Sequence, residues 1–284
     1  MWGKRLLQSF HWMPRIAAVR MLQQKPVFHS SSLTKATPMS AIGAPMLPPI
    51  KKDDQSEHSF STDLVTTVSK GLGVSIGTGF GLSLFGPAAA IPSLAVGFIG
   101  SLACGVRLGK FQETEKQQGV LTEEQRQKVK TTFWGMCGLA GGMLTPVFFT
   151  LSNPWVVPVA FGATSLMTLS LSRVALRYQS NILKGWRAPL LSGLLGLVVL
   201  DLSALATMLV VGPNPFSEMV MTVDLHGGLL LFSGLLAYDS QAALEIYRKN
   251  PQCDKHLVAV DLFWDAINFF IRLLELLNKA QKKD

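Results

Sequence analysis

Acidic side chains are absent from the first 52 residues, and charge of either sign is scarce elsewhere. Only 15% of the 284 residues are charged, against about 25% in a soluble domain. With 48% hydrophobic residues and several apolar runs of roughly 20 residues, the shortage excludes an ordinary soluble domain and indicates a polytopic membrane protein. Cysteine is sparse too. Cys104, Cys137 and Cys253 form no CxxC pair and no even-numbered set, so no disulfide framework is encoded. Two of them lie in apolar runs, where a free thiol behaves as a small hydrophobe. Cys/His metal spacings and phosphate-cradling glycine loops are also missing, so no cofactor is implied and nothing marks an enzyme.

What is present at the front is basic. Eight of the 26 basic residues, Lys4, Arg5, Arg15, Arg20, Lys25, Lys35, Lys51 and Lys52, precede the first acid, which leaves 18 to balance 18 acidic residues in the body. Trp2, Leu6, Phe10 and Met13 share one helical face beside them. An acid-free, Arg-containing amphipathic start followed by HSSSLTKATPMS has the pattern of a mitochondrial presequence, here 1–40. The alternative is a disordered basic tail on a protein of the endoplasmic reticulum membrane or cell surface. The basic residues are scattered without an aromatic platform, which argues against nucleic acid as a partner. Residues 41–61 read as a disordered linker, with too little apolar surface to fold.

Seven apolar segments follow, at 62–84, 88–106, 131–151, 155–174, 188–211, 222–244 and 256–278. Backbone in lipid must satisfy its own hydrogen bonds, so these are expected to be helices. The expected fold is an all-α seven-helix transmembrane bundle over 62–278, with a basic tail at 279–284. Connections after the second, fourth and sixth segments carry Lys and Arg, whereas those near Gly86, Asn153 and Gly212 carry none. That alternation places the N-terminus and the basic connections on one side, which in a mitochondrial inner membrane is the matrix. Seven crossings put the tail lysines on the other side, and the sequence does not settle whether the last helix crosses fully.

The last segment contains Asp261, Asp265, Asn268, Arg272 and Glu275. At 100° per residue these fall in one stripe roughly 80° wide. Charges within lipid are costly, so the stripe is expected to face the bundle interior, which makes this helix central. The preceding segment carries Asp239 near its basic end. A short connection makes the two helices antiparallel, and similar depths would let Asp239 and Asp265 meet. Two adjoining carboxylates cannot both ionise cheaply, so one keeps a proton or a cation binds between them. Calcium is the hard cation that suits such oxygen ligands. The other reading is a proton-sharing pair that only locks two helices together.

At these residues the chain resembles the transmembrane Bax-inhibitor-motif family. The matching stretches are GGLLLFSGLLAYDSQAALE and VAVDLFWDAINFFIRLLELL, and GLAGGMLTPVFFTLSNPWVVPVAFGATSLMTLSLS is similar too. The resemblance covers about 62–278. It implies a seven-helix bundle around a central last helix and a pH-sensitive calcium leak gated by Asp239 and Asp265. With the leader, the chain is most similar to the mitochondrial inner-membrane branch, which implies calcium–proton exchange, cristae organisation and a link to apoptosis. A family arginine that pairs with the dyad is matched best by Arg107, within CGVRLGK. Asp201, Asp224 and His226 are candidates for a proton path to the far face, or else helix-end and interfacial residues, the reading preferred for Asp224 and His226.

Rival classes are less well supported. Tyr238-Asp239 is similar to one motif of intramembrane aspartyl proteases, but FWDAI lacks their Gly-x-Gly-Asp. Gly73-Val-Ser75-Ile-Gly77 is formally GxSxG, but a nucleophile elbow needs a strand–turn–helix setting. Gly73, Gly77 and Gly81 are expected instead to pack helices closely. The stronger rival is a non-transporting scaffold for inner-membrane architecture or partner proteins, using an exposed loop from Leu108 to Lys130 in which EQRQKVK suits a short surface helix.

Overall fold

The computed structural model describes residues 53–177, 185–212 and 214–281. Seven α-helices follow in order: α1 (Asp53–Ser83), α2 (Ala90–Gln118), α3 (Glu123–Phe149), α4 (Val156–Arg177), α5 (Arg187–Val211), α6 (Pro215–Lys249) and α7 (Lys255–Gln281). No strand occurs among the described residues. All seven expected segments are helical. Among the described residues five stretches are long and apolar enough to cross a membrane: Pro87–Gln118, Glu123–Phe149, Val156–Val174, Arg187–Ala204 and Glu218–Lys249. Asp63, Lys70 and many small polar residues dilute α1, and the charged stripe dilutes α7. The molecule is a multi-pass membrane bundle.

Helix α7 occupies its centre. It packs against α1, α3, α4 and α6 and touches α2, while α5 packs on α6 at the periphery. Every residue from Leu257 to Phe270 except Asp261 is buried. Around it, α3 is held tightly between α1 and α2 because glycines remove the side chains that would keep the backbones apart. A Cβ at Gly79 would come within 2.6 Å of the Gly141 carbonyl oxygen, and one at Gly97 within 2.6 Å of that of Leu139. The expected face of Gly73, Gly77 and Gly81 is not the close one, since Gly77 and Gly81 have open space beside them. Small residues at 71, 75 and 79 form a second, interleaved register, and only the packing selects between the two. Ser75 lies in that register, fully buried, and its hydroxyl donates to the Cys137 carbonyl at 2.6 Å. It is a helix-packing residue.

Three expectations need correction. The disordered linker ends earlier, because α1 begins at Asp53. Its front is held by distant partners that composition cannot reveal. The Glu57 carboxylate accepts from Arg248 Nε at 2.8 Å and Nη2 at 2.7 Å, and the Phe60 ring stacks on Tyr247 with centroids 4.2 Å apart. The loop from Leu108 to Lys130 is mostly helix, well beyond the short one expected at EQRQKVK. Helix α2 runs to Gln118, Gly119 turns the chain with φ of 77°, and a Thr122–Gln125 capping box starts α3. Charged residues there mark helix ends that extend past the apolar spans. The tail is shorter than 279–284, since α7 continues through Gln281. The presequence assigned to 1–40 lies outside the described residues.

The far end of α7 is also fixed. Asn278 accepts from the Ser152 backbone N–H at 2.9 Å and donates to the Thr150 carbonyl at 3.3 Å. Helix α7 therefore runs the length of the bundle and ends beside the uncharged α3–α4 connection, opposite the basic side.

Candidate functional site

Helices α6 and α7 form an antiparallel hairpin. Asp254 is the N-cap that starts α7: its carboxylate accepts the His256 N–H at 2.8 Å, and its carbonyl accepts the Leu257 N–H at 3.1 Å. Burial works to raise the Asp254 carboxyl, but the His256 ring and N–H, with the Leu257 N–H, together hold it below the usual carboxylate range. The connection is clamped onto the α2–α3 turn. Asn250 donates to the Gly119 carbonyl at 2.7 Å, Arg126 to that of Gln252 at 3.1 Å, and the Asp254 N–H to Glu115 at 2.8 Å. These caps carry a plain sequence signal, an Asp just before a helix and an Asn in a turn, which hydropathy and charge patterning alone do not single out.

The hairpin register bears on the dyad. Asp239 precedes the end of α6 at Lys249 by ten residues, and Asp265 follows the start of α7 at Lys255 by ten. At ~1.5 Å per residue both lie about 15 Å from the turn. The Arg272 guanidinium stands over the Phe232 ring, 4.5 Å from its centroid. Asp239 lies seven residues beyond Phe232, and Asp265 seven residues before Arg272. Two turns in opposite directions along an antiparallel pair return to a common level and nearly a common face. Both carboxylates are buried, Asp239 at 6% exposure and Asp265 at 2%.

The rest of the stripe divides. Asn268 is buried and donates to the Trp264 carbonyl at 2.9 Å, whereas Asp261 and Glu275 are half-buried. Arg272, at 1% exposure, is enclosed. It donates from Nη2 to Asp224 Oδ1 at 3.1 Å, from Nε to the Asp224 carbonyl at 3.4 Å and from Nη1 to the Asn268 carbonyl at 3.4 Å. A Cβ at Gly228 would collide with Nε and come within 2.7 Å of Cδ and Cζ, so glycine makes room for the guanidinium.

Asp224 is therefore an interior ion-pair partner and not an interfacial residue. The sequence gives no sign of this, because 48 positions separate the partners and only helix packing joins them. His226, two residues on, is exposed and its ring bonds the Thr222 carbonyl at 3.0 Å, so it does not continue a buried path from Asp224. Asp201 is buried on α5, the helix that packs on α6. Arg107 is not brought to the dyad. It lies on the exposed face of α2 with Val106 and Lys110, while Gly105 and Leu108 face inward.

Among the described residues no group of three or more His, Cys, Asp or Glu is gathered that could hold a metal ion. The model of the family described as inhibitor of apoptosis-promoting Bax1 (Bax1-I) matches residues 59–282. Relatives include the Golgi anti-apoptotic proteins of vaccinia virus strains Lister and LC16m0. Each is 29% identical over 167 residues, which is 56% of this chain and 62% of the relative. The match thus spans less than two thirds of the viral proteins' length. With the family model matching well over half of the chain, the chain belongs to the Bax1-I family of membrane proteins.

Proposed function

We propose that the protein is a pH-sensitive calcium leak channel or calcium/proton exchanger gated by Asp239 and Asp265, and that it acts by moving ions without covalent catalysis. One observation carries this reading: two buried carboxylates on the antiparallel pair α6–α7 lie at equal distance from their connecting turn. Repulsion between two such carboxylates in a low-dielectric interior favours a shared proton at acid pH and a divalent cation when the proton leaves. Calcium is the cargo, bound by oxygen ligands and released when a proton returns. The acid-free leader supports the mitochondrial inner membrane as the location, with the endoplasmic reticulum membrane as the alternative. Membership of the family, and the anti-apoptotic name of the viral relatives, support a role in restraining cell death; cristae organisation with inner-membrane partners belongs to the same reading.

The test is calcium and proton flux in liposomes that contain the full chain, followed with entrapped dyes. The double variant Asp239→Asn, Asp265→Asn is expected to lose pH-dependent calcium movement. Unchanged flux in that variant removes the mechanism and leaves the non-transporting scaffold as the better account.

A further inference from the structure

We propose that Arg272 and Asp224 form a second closure of the conduit, a fixed positive plug between the Asp239–Asp265 level and the uncharged face of the bundle. This rests on the conduction reading above. Arg272 is seven residues beyond Asp265 on the same stripe, about 10 Å further along the axis, towards the end where Asn278 meets the α3–α4 connection. A cation that leaves the dyad along the polar face of α7 passes Asn268 and then meets the guanidinium. That group stays charged at every physiological pH, so its barrier to calcium does not fade as the dyad titrates.

The site is built for the guanidinium. Asp224 supplies the counter-charge and the Phe232 face attracts the cation. Two backbone carbonyls accept from its Nε and Nη1, and Gly228 leaves space for it. A link meant only to hold α6 to α7 would need neither a permanent charge at this depth nor a glycine cut away beneath it. An intramembrane charge on the polar stripe marks an ion path more often than glue.

Three variants separate plug from glue. Arg272→Gln keeps a hydrogen-bonding side chain but removes the charge. Gly228→Ala displaces the guanidinium without altering any charge, and Arg272→Lys keeps a cation of different shape. Each full-length protein is first shown to be monodisperse and helical, and calcium entry into liposomes is then measured beside wild type and the Asp239→Asn, Asp265→Asn variant. Arg272→Gln and Gly228→Ala are expected to raise calcium flux about tenfold, which corresponds to ~1.4 kcal/mol of lost barrier. Arg272→Lys is expected to recover most of the closure. If Arg272→Gln folds and its flux equals that of wild type, the plug is overturned, whatever the dyad variant shows. If flux rises in Arg272→Gln while the dyad variant matches wild type, the plug stands and the gating role of the dyad falls. If no protein conducts, both fall.

Discussion

Removing the Asp224 carboxylate strands a guanidinium that is 1% exposed, and the cost can be worked from its neighbours. Breaking a buried ion pair from one side costs about 3–5 kcal/mol, because the surviving charge keeps its desolvation penalty. Arg272 would still have the Asp224 and Asn268 carbonyls at 3.4 Å and the Phe232 ring. A cation–π contact of this kind is worth roughly 0.5–2 kcal/mol. Asp224→Leu is therefore expected near the lower limit, about 3 kcal/mol. Arg272→Met should cost less, since a stranded carboxyl can neutralise itself by taking a proton and a guanidinium cannot. The double variant replaces the pair with apolar side chains and is expected within about 1 kcal/mol of wild type. The assay is reversible unfolding in mixed micelles, followed by helical circular dichroism, with the coupling read from the cycle. Additive losses, or an Asp224→Leu protein as stable as wild type, would refute the ion-pair reasoning.

Helix approach gives a sharper contrast. Gly79→Val should lose about 1–3 kcal/mol through overpacking against the Gly141 carbonyl, whereas Gly77→Ala, with open space beside it, should unfold like wild type. The N-cap of α7 gives a pH dependence. The Asp254 carboxyl sits below its ordinary value, so its contribution is present above the unfolded pKa and is lost as pH falls through the folded one. Amide exchange at His256 and Leu257 should accelerate below about pH 4, and Asp254→Ala should abolish that acid step and cost about 1 kcal/mol. The Cys253 thiol is pushed up to about 11 by burial, with Glu115 and Asp254 adding to the shift. Maleimide labelling at that position should be slow at pH 8 and rise towards pH 11; rapid labelling at pH 8 would contradict this environment.

The relation between the sequence and this structure is uneven in an instructive way. Asp261, Asp265, Asn268, Arg272 and Glu275 revealed a polar face by spacing alone, and the price of charge in lipid then required that face to be interior. Asp239 was legible because a lone acid in an apolar run stands out. Arg107 misled because chain position near a helix end says nothing about which way the side chain points. Front residues Glu57 and Phe60 looked like linker because their partners, Arg248 and Tyr247, come from the other end of the chain.

Alone, the sequence determined that the chain is helical and membrane-embedded and that its last helix is central. Those properties follow from local periodicity and from transfer of side chains out of water, which need no knowledge of neighbours. Tertiary structure decided which glycines touch, that Asn278 carries α7 to the far face, and that Asp224 pairs with Arg272. Each depends on how helices distant in sequence are rotated and offset against one another, and close packing, not composition, sets that rotation.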